Sequence, residues 1–210
     1  MKRGLRIIVC GLLAGALAGC GGGGAESFLD PHAVIQLREV LNKGPSLPDG
    51  FSDRPGQAWQ APFGRVDKNC GAVLGPAGGR APERALTAQA AVTYQGDRLG
   101  EQAAVGLARY AGDEVEGHLD TIAKALRACH AVRSEDGTDL RLHVVPIADT
   151  GDEALAGQLR GRLNGYPYAL DVVLSRVEDT LVSVVHTGMS EIDPARTRKL
   201  VDAVIGMANA

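Results

Sequence analysis

The side chains that could do chemistry here are few and widely spaced. The five histidines, His32, His118, His130, His143 and His186, are scattered along 210 residues. His32 and His118 fall at outward positions of helical patterns, and His143 falls on the polar side of a strand pattern. His186 alternates with Val182 and Val184, so it is expected to point inward near a strand end, where a lone histidine is more often a satisfied core residue than a ligand. Asp113, Glu114 and Glu116 could supply acids, but first-turn acids are explained by the helix dipole. Asp152-Glu153 has no paired base at a recognised spacing. The sequence contains no GxSxG, HExxH, Walker loop or strand-linked GxGxxG. The expectation is a chain that is not an enzyme and uses neither a cofactor nor a metal.

The N-terminus is the most explicit segment. In MKRGLRIIVCGLLAGALAGC, Lys2, Arg3 and Arg6 precede an apolar run from Ile7 to Leu17, which has the length of a signal-peptide core and is too short for a spanning helix. The end, Leu17-Ala18-Gly19-Cys20, resembles the bacterial lipobox. That resemblance implies cleavage before Cys20, a diacylglycerol thioether on its Sγ, and N-acylation, as by palmitate. Two or three acyl chains hold a protein firmly to a membrane, since each buried methylene contributes about 0.8 kcal/mol. Gly21–Gly24 then reads as a flexible tether, with residues 1–19 as signal, 20–26 as tether and 27–210 as one folded domain. The alternative is an ordinary secretory signal with Cys20 as a half-cystine. Losing Lys2, Arg3 and Arg6 takes the formal charge from −3 to −6. A mildly acidic surface is held off anionic lipid, so a covalent anchor, not charge, would keep the protein at the membrane.

Cys10 leaves with the signal, which leaves Cys70 and Cys129 in the domain. In an exported protein they are expected to form a disulfide, closing a loop of roughly 60 residues and contributing about 4 kcal/mol at most in the chain-entropy model. A metal site is the alternative. His130 adjoins Cys129, but zinc would want further ligands, and no CxxC or HxxxH spacing occurs.

The elements that must position these residues follow from periodicity. Hydrophobic residues make up 45% and aromatics only 4%, so the core must be built from Val, Leu, Ile and Ala. No basic stretch suggests nucleic-acid binding. Asp30-Pro31 opens a helix with Val34, Leu37, Val40 and Leu41 on its stripe, stopped by Gly44-Pro45. LPDGF (47–51) and a Pro/Gly-rich loop follow, carrying Trp59 and Phe63; Cys70 begins the short segment CGAVLG, and GPAGGRAP (75–82) reads as a loop. Residues 84–94 alternate as a strand with Leu86, Ala88, Ala90, Val92 and Tyr94 on one face, and 101–110 pair back with Ala103, Val105 and Leu107 inward. A helix from Asp113 to Cys129 buries Val115, Leu119, Ile122 and Leu126. Asp136-Gly137 joins a hairpin, 131–135 and 139–147, with Leu140, Leu142 and Val144 inward and Arg141 and His143 outward. Residues 153–163 set Leu155, Leu159 and Leu163 against Gln158, Arg160 and Arg162. Tyr168–Gly188 forms the clearest hairpin, turning at Glu178-Asp179, and Asp193-Pro194 caps a last helix bearing Leu200, Val201, Val204 and Ile205. Short turns between consecutive strands predict an α+β fold, a mostly antiparallel twisted sheet with helices packed on it in one domain.

Several of these pieces occur together: the lipobox, LPDGF, a cysteine before the first strands, ALRAC closing the middle helix, and the DVVLSRVEDTLV hairpin followed by a helix. Together they make the chain similar to actinobacterial lipoproteins of the PknH-like extracellular sensor-domain family, over nearly the whole mature length. The resemblance implies an α+β domain outside the membrane, a ligand-holding cleft and no catalysis. It also implies two disulfides where this chain can form one, and with no kinase domain present any signalling would need a separate partner protein. The function expected is a membrane-anchored, ligand-binding or sensor-like envelope domain that takes a small or lipidic ligand. A structural or protein-interaction lipoprotein without a pocket is the alternative. Trp59, Phe63, Tyr94, Tyr110, Tyr166 and Tyr168 are the candidate liners of such a cleft in an otherwise Val/Leu/Ala-rich domain.

Overall fold

A strand that is apolar at nearly every position must be covered on both faces, and that requirement organises this domain. The computed structural model describes residues 29–44, 46–147, 151, 153–189 and 191–209; the signal, Cys20 and the glycine tract lie outside them. The elements are α1 (Pro31–Asn42), α2 (Lys68–Leu74), a 3-10 turn (Pro76–Gly78), β1 (Leu86–Gln95), β2 (Gln102–Tyr110), α3 (Glu114–Ala128), β3 (Ala131–Ser134), β4 (Thr138–Val145), β5 (Glu153–Leu163), β6 (Tyr166–Val177), β7 (Thr180–Gly188) and α4 (Pro194–Ala208). The strands form one sheet in the order β1-β2-β7-β6-β5-β4-β3, each pair antiparallel. After β2 the chain crosses through α3 to the far edge, then meanders back until β7 closes onto β2. The expected α+β antiparallel architecture is the observed one.

Every residue of β7 is buried, as are Tyr168 to Ser175 of β6, because helices pack on both sides. On one face, α2, the 3-10 turn and α3 cover Ala104, Leu140, Leu159, Leu170 and Val185. On the other, α1 and α4 cover Ala90, Val105, Val173, Val182 and Val184 through Leu37, Leu41, Leu200, Val201 and Val204. This second cover is incomplete. Beyond β6 the same face carries Arg133, Asp139, Arg141, His143 and Arg162, all exposed.

The helix ends follow the predicted chemistry. The Asp30 carboxylate accepts from His32 N at 2.9 Å and the Asp193 carboxylate from Ala195 N at 2.9 Å, each followed by proline at the first helical position. Asp113 precedes α3 without a side-chain cap, leaving Glu114 and Glu116 to face its dipole. CGAVLG, given no element by the sequence, lies in a helix, α2, whose cap is Asp67, accepting from Asn69 N and Cys70 N. Two local readings need correction. His118 is buried, not outward: its Nε2 donates to Arg84 O at 2.8 Å and its ring stacks at 4.6 Å on Tyr110. Val144 is 55% exposed, not inward, since its cross-strand partner is Gly157, which offers no side chain to pack on.

Two close approaches fix the first face. A Cβ on Gly106 would lie 2.1 Å from Pro76 O, so only glycine lets the 3-10 turn lie against β2. Cys70 at the start of α2 is bonded to Cys129 at the end of α3, with 4.9 Å between Cα atoms. Asp67 lies beside the two sulfurs, but it caps α2 and the sulfurs are bonded to each other, so the group offers no metal site. The bridge ties the shortest helix, which could not hold itself by propensity, to the central one. Replacing both cysteines by alanine is expected to lower stability by about 2–4 kcal/mol, read as a reduced urea midpoint, and non-reducing peptide mapping is expected to recover the Cys70–Cys129 cross-link.

Candidate functional site

Asp171 and His186 sit opposite each other on β6 and β7, side chains on the face that α4 covers. Both are buried, at 4% and 1% exposure, and a buried polar group needs partners. Those partners come from α4 and from the turn before β2. Thr197 Oγ1 donates to Asp171 Oδ2 at 2.9 Å and lies 2.9 Å from His186 Nδ1. His186 Nε2 lies 3.1 Å from Glu101 Oε1, itself 2% exposed. Arg196 Nε donates to Glu101 Oε1 at 2.8 Å, and Arg160 donates to Asp171 Oδ1 at 2.5 Å. The result is a continuous chain, Arg196–Glu101–His186–Thr197–Asp171–Arg160, buried between sheet and helix.

LPDGF is strapped onto this chain. Arg196 Nη1 donates to Asp49 O at 2.6 Å, and its guanidinium lies 4.6 Å over the Phe51 ring. Phe51 meets His186 edge-on at 5.7 Å. Gly50 adopts φ +91°, and any Cβ there would strike the Asp97 carboxylate, which also accepts from Arg196. The motif is a latch for the N-terminal end of α4.

The polar chain separates two hollows. On one side Glu101 and His186 border a cavity of about 180 Å³ with Arg98, Leu99, Met189 and Asp193. On the other, Asp171 and Thr197 form the floor of a cleft of about 200 Å³. Its walls are Val145, Ala156, Gln158 and Val173 from the sheet, Ile147 just past β4, and Pro194, Arg198 and Val201 from α4. A wider depression of about 490 Å³ beside β1 is lined by Arg54, Gln57, Gln60, Gln95 and Gln102. Its walls are polar and no buried charge faces it, whereas the cleft beside α4 combines apolar walls with buried, paired polar groups, as ligand sites do.

The six sequence-chosen aromatics are placed apart from this cleft. Trp59 and Phe63 meet edge-on at 6.3 Å within the first core layer, with Trp59 also bordering the polar depression. Tyr94 lies under α1, its hydroxyl donating to Leu41 O at 2.5 Å; burial pushes its pKa up to about 12. Tyr110 donates to Pro82 O at 3.0 Å and is likewise pushed up by burial. Tyr168 is buried in the first layer, raised to about 12 by burial. Tyr166 is exposed on β6. Cys20 lies outside the described residues. Of the histidines, His186 alone joins the buried chain, and sequence reasoning missed Glu101, Asp171, Arg196 and Thr197. The signal for Asp171 was available: it is the one acid inside the apolar run ALDVVL.

The chemistry of this arrangement is positioning. Its carboxylates are met by arginines, and the one hydroxyl of Thr197 is spent on its neighbours. The three contacts from Glu101 to Asp171 call for three hydrogens, while a neutral imidazole and one hydroxyl supply two. Protonating His186 would complete the set, but burial lowers its pKa below 6.5 and outweighs Glu101 and Asp171, which raise it. Burial raises the Glu101 pKa, but hydrogen bonds from Arg196 and His186 outweigh that and hold it below 4.5.

No protein-family model matches the sequence, and no curated protein sequence is similar to it. The fold is shared with a solved mycobacterial domain. The extracellular domain of PknH from Mycobacterium tuberculosis superposes with a TM-score of 0.53, at 12% identity, over 87% of this chain and 93% of that one. A putative uncharacterized protein from Mycobacterium smegmatis gives 0.49 at 13% identity, over 90% and 100%. The fold expected from the sequence motifs is thus the fold observed.

Acidification is expected to weaken the domain in two stages. With its folded pKa below 6.5, His186 takes up a proton first in the unfolded chain, so its contribution is complete above pH 6.5 and is lost as pH falls below it. Glu101, with its folded pKa below 4.5, adds a second loss below that pH. Urea midpoints recorded from about pH 7.5 to about pH 4 should fall, the upper stage disappearing in His186→Gln; a flat profile would refute the assignment. Thr197→Val leaves Asp171 Oδ2 and His186 Nδ1 without a partner and is expected to cost about 1–3 kcal/mol by the same measurement.

Proposed function

We propose that this chain is a lipid-anchored, extracytoplasmic binding domain, sensor-like and non-catalytic, whose ligand enters the cleft between α4 and strands β4–β6. The observation that carries the reading is the cleft itself, where apolar walls meet a floor of two buried polar residues, Asp171 and Thr197. Location is supported by the N-terminal sequence, with its signal and Cys20, and by the fold shared with a domain described as extracellular. Among the described residues no helix is long and apolar enough to cross a membrane. The buried polar chain holds α4 at a fixed distance from β6 and so keeps the cleft open.

Two measurements test this. Cys20→Ser is expected to move the protein from the membrane fraction to the soluble extracytoplasmic fraction; unchanged partitioning would refute the anchor. Native mass spectrometry of the exported Cys20→Ser protein is expected to show a retained small molecule. Ala156→Phe, which fills the cleft, or Gln158→Trp, at its half-buried rim, should remove that mass while circular dichroism stays unchanged.

A further inference from the structure

The half of the sheet that α4 leaves bare is not an ordinary polar surface. Arg141 on β4 stands directly opposite Arg160 on β5, and Arg162 follows on the same face. Like charges directly opposite each other across antiparallel strands are destabilising. The acids on this face of β3–β6 are already engaged: Asp139 pairs with Arg133 at 3.1 Å, and Asp171 with Arg160. Arg141 and Arg162 have no carboxylate partner among the described residues; Arg162 donates to Gly165 O at 2.8 Å. Arg162 stands opposite Asp139, whose carboxylate is taken by Arg133, so this face carries four arginines against two acids on a chain whose formal charge is negative.

Arg141 and Arg162 also share a sheet face with the cleft, each four residues along its strand from a lining residue, Val145 for Arg141 and Gln158 for Arg162. Arg141, His143 and Val145 are successive residues on one face of β4, opposite Arg160, Gln158 and Ala156 of β5. Val145, Ala156 and Gln158 line the cleft. The apolar walls thus pass within four residues, about 14 Å at 3.4 Å per residue, into the arginine pair. A flat bilayer would not reach this surface, because α4 stands beside it as a layer of about 10 Å. The cleft, at about 200 Å³, is smaller than the roughly 300–1,000 Å³ that encloses a whole small ligand, so it suits one end of a longer molecule.

Resting on the cleft reading above, the geometry points to an anionic amphiphile as the ligand. Its hydrocarbon end lies against Val145, Ile147, Ala156, Val173 and Val201, and its phosphate or carboxylate head is held by Arg141 and Arg162, with His143 between head and tail. Arginine suits such a head because its planar fork meets two oxygens at once.

Calorimetric titration of the exported Cys20→Ser protein with dodecyl phosphate, each amphiphile below its micelle concentration, tests this against dodecyl maltoside, dodecyltrimethylammonium and inorganic phosphate. Dodecyl phosphate is expected to bind best. The exposed double variant Arg141→Ala/Arg162→Ala should weaken it by about tenfold or more, the scale of one charge-assisted hydrogen bond, without changing the weaker binding of the maltoside. Ala156→Phe should weaken both. If the neutral and anionic amphiphiles bind equally and the arginine variant changes nothing, the anionic inference falls while the cleft reading stands. Absence of binding by every amphiphile overturns both. Inorganic phosphate binding as tightly as dodecyl phosphate overturns the role of the hydrocarbon end.

Discussion

The buried carboxylate of Glu101, held between Arg196 and His186, is the interaction on which the cleft-bearing half of the domain depends. An ionised carboxylate out of water costs several kcal/mol unless charges and hydrogen bonds meet it, and removing one partner of such a set leaves that cost exposed. Glu101 comes from the turn before β2, His186 from β7 and Arg196 from α4. Meeting this one need fixes the helix against two strands distant in sequence. Arg196 also holds Asp49 and Phe51, so the N-terminal loop is set by the same group. The cleft wall is therefore positioned by electrostatics at one end of α4 and by Leu200, Val201 and Val204 along its length. Apolar packing alone is tolerant of sliding; a directional buried chain of hydrogen bonds is not.

Much of the fold was legible because periodicity reports burial. The alternation in 84–94 and 153–163, the Asp-Pro helix starts and the Glu178-Asp179 turn each map onto an observed element. What periodicity could not report is burial on both faces. Alternation marks one inward face, so Ala103, Val105 and Leu107 were identified while Ala104, Gly106 and Ala108, which face the other helical layer, were not. α2 escaped for a related reason: seven residues containing Gly71 give no stripe, and its order comes from the disulfide and the Asp67 cap. His118 was misplaced because its buried position depends on Arg84 and Tyr110, which no local pattern brings together.

The candidate site was less legible. Aromatic residues are natural guesses for pocket liners, but large rings are also the most effective core fillers, and in a chain with so few of them the core claimed Trp59, Phe63, Tyr94, Tyr110 and Tyr168. The informative residues were those that contradict their surroundings. Asp171 interrupts an apolar strand, His186 sits in a β-branched run, and LPDGF is a rigid motif between less regular stretches. All three meet at the N-terminal end of α4, at contacts spanning from 11 residues to 147.

Where a sequence departs from the locally stable choice and nothing in the fold compensates, selection for something other than stability is the simplest cause. Asp171 and His186 depart from that choice and are compensated, so they explain structure. Arg141 opposite Arg160 departs from it with only Arg160 compensated, and Asp139, opposite Arg162, is shared with Arg133, so the face keeps an excess of arginines. A threonine or glutamate at 141 would serve the sheet better. The asymmetry of the helical cover has the same sense: α1 and α4 together cover β1, β2, β7 and β6 but on β5 and β4 reach only the end bearing Ala156 and Val145, and the rest of those strands and β3 stay bare. A domain that needed only to be stable would extend its cover or shorten its sheet. Keeping strands beyond that cover, charging their open face positively and leaving a cleft at the boundary is a combination that stability does not require and that the proposed recognition of a molecule with one charged and one apolar end would use.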